Sequence, residues 1–166
     1  MTAVQVLSPL LIPFGTPTLM KAVERFVVAD HFKVGNVVGG LKIRSVSNTF
    51  RWNFFDVVEK NIPERLLPAW TLAEFSHGLP ILPELGGENA RSTQIHLSHF
   101  FKTIELGKSG PGLLNGSVNI GYKVSLHDDE YYVLRWSVHN EEVDVDTLPA
   151  VWPVGICRGA RVLGGA

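Results

Sequence analysis

Two histidines, His96 and His99, stand three residues apart in the stretch STQIHLSHFFKTIEL, Ser92 to Leu106, amid apolar side chains. On a helix that spacing puts both imidazoles on one face, where they could chelate one ion; on a strand they point to opposite faces. Thr93, Ile95 and Leu97 alternate with Gln94, His96 and Ser98, which reads as a strand. The two rings are then expected to diverge. The glutamate of the zinc-helix motif HExxH is also missing, so no metal is assigned to the pair. The apolar phase shifts between His99 and Phe101, as it does at a β-bulge, and a bulge can turn a side chain into a pocket. His99 is therefore a candidate ligand-binding residue.

A second group of chemically useful residues lies in SVNIGYKVSLHDDEYYVLRWSVHN, where both halves alternate at period two and predict a hairpin. Apolar positions face one another if residue numbers sum to 258. Tyr122 then lies opposite Trp136, with an Asp128–Asp129–Glu130 loop. That register sets Lys123 opposite Arg135 and Asn119 opposite His139 on the other face. Like charges directly opposed repel unless an anion lies between them. Glu105 from a neighbouring strand could supply it. Alternatively Lys123, Arg135 and His139 present themselves to an anionic ligand, with Tyr122 and Trp136 lining an aromatic pocket.

Other reactive side chains give weaker patterns. Glu142, Asp144 and Asp146 fall on one face of a strand and Val143 and Val145 on the other. Their spacing of about 7 Å is wide for one cation, and a charged edge strand that resists edge-to-edge pairing explains them. Cys157 is the single cysteine and has no histidine near it in sequence. An internal disulfide is therefore excluded. Ser76–His77 is no more specific, and catalytic residues stay unassigned.

The elements that must position these groups follow from composition and pattern. A chain of 166 residues is the length of one domain, taken as 1–166, and 45% hydrophobic residues suffice for one core. Fifteen basic against sixteen acidic residues provide no broad basic field, which argues against nucleic acid or an anionic membrane as partner. The same neutrality favours self-association, so a homo-oligomer is an expected alternative. The apolar start is broken by Pro9, Pro13 and Pro17 and has no basic residue before Lys21. It reads as neither signal peptide nor span, and the cytoplasm is the default.

Thr16–Pro17 has the form of a helix cap, and Leu19, Val23, Phe26 and Val27 share a helical face. This predicts a helix from about Pro17 to Asp30. The glycines around Gly39 mark a turn, Phe50, Trp52 and Phe54 a second strand, and FDVVEKN a helical turn. Residues 62–87 hold four prolines and read as a connection with one short strand near Trp70 to Phe75. The tail at 158–166 ends in small residues and is expected to fray.

The predicted fold is α+β: an N-terminal helix packed on a strongly bent, barrel-like, mainly antiparallel β-sheet of six to eight strands. The predicted function is a small-molecule-binding domain with an aromatic-lined pocket in that sheet. The competing readings are a small acid–base enzyme (isomerase, cyclase or hydrolase) pairing a histidine with a carboxylate, and a homo-oligomeric interaction or structural protein. No cofactor is implied.

Overall fold

The computed structural model describes residues 9–87 and 93–164. In chain order the elements are β1 (Leu11–Pro13), β2 (Thr18–Met20), β3 (Val23–Val27), α1 (Val28–His31), β4 (Val37–Val38), β5 (Leu41–Val46), α2 (Asn48–Phe54), β6 (Val58–Ile62), β7 (Arg65–Leu67) and β8 (Ala69–Leu72). They continue with α3 (Gly78–Ile81), α4 (Leu97–Leu106), β9 (Asn119–Val124), β10 (Tyr131–His139), β11 (Glu142–Pro149) and β12 (Arg161–Leu163). Eight strands form one sheet in the order β1-β8-β12-β9-β10-β11-β5-β4, while β2–β7 and β3–β6 make two-stranded sheets. The large sheet is antiparallel except for β11–β5 and β12–β9. The chain is thus α+β with a mostly antiparallel sheet, but that sheet stays open between β1 and β4 and is no barrel.

The expected N-terminal helix is replaced by β2, β3 and the four-residue α1. VERFV is rich in β-branched and aromatic residues, and β6 offers it a ladder from Val23↔Ile62 to Val27↔Val58. Tertiary pairing of that kind overrides the helical spacing. The reverse happens next in the chain. Phe50 and Phe54, whose alternation with polar neighbours predicts a strand, lie on helix α2, one turn apart and both buried, with Trp52 exposed. Ser47 supplies the cap, its Oγ accepting from the Phe50 N–H at 3.2 Å. FDVVEKN, expected to be a helical turn, instead leads into β6.

Both faces of the large sheet are covered. On one face Leu134, Trp136, Val143 and Val145 pack with Phe32, Phe50, Phe54 and Phe100 from the helical side. On the other, Ile120, Tyr122, Val133 and Val162 pack with Ile81, Leu82 and Leu85 of the proline-rich connection. That connection carries β7, β8 and α3, more regular structure than the single short strand expected. The tail expected to fray carries β12, whose Val162 and Leu163 are fully buried between β8 and β9.

The turn at Gly39 fixes α4 against this sheet. Gly39 has φ +56°, and a Cβ there would overlap the carbonyl oxygen of Glu105 on α4. Gly39→Ala therefore meets both a left-handed backbone and a steric clash. A loss of about 2 kcal/mol or more in urea denaturation is expected.

Candidate functional site

From Leu97 to Leu106 the stretch that holds the two histidines is the helix α4, with His99 in it and His96 just ahead of it. Leu97, Phe100, Phe101 and Ile104 fall at i, i+3, i+4 and i+7 and are all buried, so the phase shift that suggests a bulge is the onset of the 3.6-residue period. His96 is the N-cap of α4, and its ring lies 5.3 Å from that of His99, nearly perpendicular to it. The two rings therefore meet instead of diverging.

What organises them is a residue that the sequence pattern does not single out. Glu59 on β6 is 6% exposed and points its carboxylate at the start of α4. Its Oε2 accepts from the Leu97 N–H at 2.9 Å and its Oε1 from the Ser98 N–H at 2.8 Å. His96 Nδ1 lies 3.6 Å from Oε2, and Lys123 Nζ lies 3.7 Å from it. These N–H groups are the orphan donors of a helix N-terminus, satisfied by an acid brought from another element. Burial pushes the Glu59 carboxyl up, yet contacts with His96, the two N–H groups and Lys123 outweigh it and bring it down to about 2. Lys123 is in turn lowered by its own burial, opposed by Glu59.

The local pattern hides Glu59. In β6 Val58 is 41% exposed while the glutamate beside it points inward, the opposite of what hydropathy suggests.

His99 is 2% exposed. Burial first, and then the neighbouring His96, hold its pKa down to about 4, although a hydrogen bond to the Lys21 backbone works the other way. The ring is therefore neutral at pH 7. Its Nε2 is buried without a hydrogen-bond partner, as is the hydroxyl of Ser98, the preceding residue. Buried polar atoms left unpaired are uncommon in folded proteins and call for an explanation.

Both residues line a cleft of about 260 Å³ between α4 and the chain from Met20 to Val23. Phe26, Phe101 and Met20 give it apolar walls, and Lys21, Lys102 and Glu105 give it charged ones. The rings of Phe26 and His31 stack at 4.1 Å, and Phe101 meets the His31 ring edge-on at 5.2 Å.

The remaining expected site residues are scattered. The hairpin exists, but its residue numbers sum to 255: Tyr122 lies opposite Val133, Lys123 opposite Tyr132 and Arg135 opposite Ile120. Lys123 and Arg135 thus occupy opposite faces, and the joint anion site expected of them does not form. Each cation has its own acid, Glu59 for Lys123 and Asp146 for Arg135. Glu105 lies on α4 and pairs with Lys102. Tyr122 and Trp136 are fully buried on opposite faces. The Tyr122 hydroxyl donates to the Gly78 carbonyl at 2.7 Å, and Trp136 Nε1 donates to Thr103 Oγ1 at 3.1 Å. Neither lines an open pocket in the sheet.

His139 and Arg135 do share a face, with Glu142, Asp144 and Asp146 across the ladder. That acidic row is interior, between β10 and β5, and Arg44 pairs with Asp144. It is not an edge strand.

Among the described residues no three His, Cys, Asp or Glu side chains are grouped to hold a metal ion. No helix among them is long and apolar enough to cross a membrane. No protein-family model, curated protein or solved structure matches the chain.

Proposed function

We propose that the chain is a small-molecule-binding domain whose ligand occupies the cleft between α4 and Met20–Val23. One observation carries the reading: a mixed apolar and polar cleft is lined by Ser98 and His99, each of which holds a buried polar atom, Oγ and Nε2, that lacks a partner. Sites for small molecules combine apolar walls with a few polar groups of this kind. A neutral imidazole that donates to a backbone carbonyl keeps a lone pair on its other nitrogen, so it seeks a donor. The ligand therefore carries an O–H or N–H group on an apolar or aromatic body.

The acid–base enzyme is the second reading, favoured by the Glu59–His96 contact. General acid–base chemistry needs such a pair at the wall of a pocket. His96 does not line this cleft, whereas His99, which does, bonds to backbone. Binding is therefore the better supported function.

A fragment screen by thermal shift and ¹H–¹⁵N NMR tests it, because a ligand selective for the native state raises the melting temperature. Hydroxyl-bearing aromatic fragments are expected to shift Lys21, Ser98 and Lys102, and to lose about tenfold in affinity in His99→Phe, the cost of about one good hydrogen bond. Hits confined to other surfaces, or unchanged by that substitution, would overturn the assignment.

A further inference from the structure

A different cleft lies on the opposite face of the large sheet, where α4 and its cleft play no part. It measures about 260 Å³ and is lined by Ser117, Val118, Arg135, Ile156, Arg158 and Ala160, among others, with no acidic side chain in its wall. Arg135 reaches it from β10 while one guanidinium nitrogen holds Asp146. Arg158 comes from the loop before β12, is exposed, and has no ion pair among the described residues. The ring of His139 stands against Gly116, another wall residue. Arg135 and Arg158 thus line one cleft with an apolar floor of Val118, Ile156 and Ala160, and Asp146 is paired to Arg135. Cations beside a low-dielectric wall focus a positive field into the cleft.

Arg135 and Ile156 also border a second, narrow crevice of about 10 Å³, walled by Val133, Leu148, Val154 and the exposed Trp152. That volume is about one water or one methyl group. The two spaces adjoin at Arg135. An anionic head in the cleft beside Arg135 leaves the crevice under Trp152 open to one methyl group of a short apolar body.

We propose that this cleft binds a small organic carboxylate with a short branched hydrocarbon body. The carboxylate takes the donors of Arg158 and those of Arg135 that Asp146 leaves open, as guanidinium groups do with planar oxyanions. The hydrocarbon covers Val118 and Ile156. Arg158 supplies the attraction, because its charge is not already compensated.

The test is an NMR and calorimetric titration of the full chain at low salt with 3-methylbutyrate, with 3-methylbutan-1-ol as the neutral analogue and acetate as the bare head. 3-Methylbutyrate is expected to give saturable shifts at Ser117, Ile156 and Arg158 and to bind about tenfold more tightly than the alcohol, as charge-assisted bonds outweigh neutral ones. It is also expected to exceed acetate. Arg158→Gln, at an exposed position that leaves the fold intact, is expected to remove most of that preference, while His99→Phe leaves it unchanged. Equal binding of the alcohol, equal binding of acetate, indifference to Arg158→Gln, or no saturable shift would each overturn the proposal. None of these outcomes bears on the cleft beside α4, which His99→Phe reports separately.

Discussion

Replacing Glu59 by glutamine is expected to destabilise the fold by about 3 kcal/mol at pH 7, within the range for breaking one member of a buried ion pair. The isosteric amide keeps the shape but not the chemistry. Glu59 accepts from the Leu97 and Ser98 N–H groups on separate oxygens, whereas the substituted side chain would turn an NH₂ group towards one of those donors. Lys123, mostly buried, would lose the carboxylate 3.7 Å from its ammonium group. A urea midpoint lowered at unchanged slope is the expected result, and an unchanged midpoint would mean that α4 does not depend on this anchor.

The wild type carries a matching pH signature. An unfolded glutamate titrates near 4.5 and the folded Glu59 near 2. Between those values the unfolded chain binds the extra proton, so stability present above pH 4.5 is lost as pH falls towards 2, by about 3 kcal/mol. Glu59→Gln should flatten that part of the profile.

Replacing His99 by phenylalanine is expected to act in a different window. The folded imidazole is held to about 4 against 6.5 for the free side chain. From pH 6.5 down to 4 the unfolded chain takes up a proton that the native state refuses. Stability present above 6.5 is therefore lost through this window, by about 3 kcal/mol. His99→Phe removes the titrating group and with it the loss between 6.5 and 4.5, leaving the Glu59 loss below 4.5. At pH 7 the change should stay within about 1 kcal/mol, since the variant gives up one hydrogen bond to Lys21 but no longer buries an unpaired nitrogen. Chemical denaturation at a series of pH values measures both, and a wild type equally stable at pH 6.5 and pH 4 would refute the second.

Particular segments show how far the sequence can be read. The arms of the β9–β10 hairpin are legible because each alternates at period two. Their register is not. A sum of 258 supposes that the apolar sides of both arms share one core, but the sheet is covered on both faces. Tyr122 and Ile120 pack with α3 and its neighbours, while Leu134 and Trp136 pack with α2 and α4. Slipping from a sum of 258 to 255 costs nothing when each face has its own core, and it separates Lys123 from Arg135.

The α4 helix is obscured by the alternating residues ahead of it, although Leu97, Phe100, Phe101 and Ile104 already carry its period. His99 reaches a cleft by helical phase and not through the bulge expected of it. Glu59 is out of reach of any local pattern. The N–H groups it anchors lie 38 and 39 residues away in sequence, and they meet it only through the β3–β6 pairing and the packing of α4.

These observations converge on one claim: a carboxylate brought from β6 fixes the start of α4, and the burial that this imposes keeps His99 neutral at the wall of the cleft. An NMR titration of the His99 ring from pH 3 to pH 8 tests it directly, with His99→Phe identifying the resonance. A midpoint near 4 is the expected result. A midpoint at or above 6.5 would show a solvated, freely charging imidazole, and the claim would be wrong.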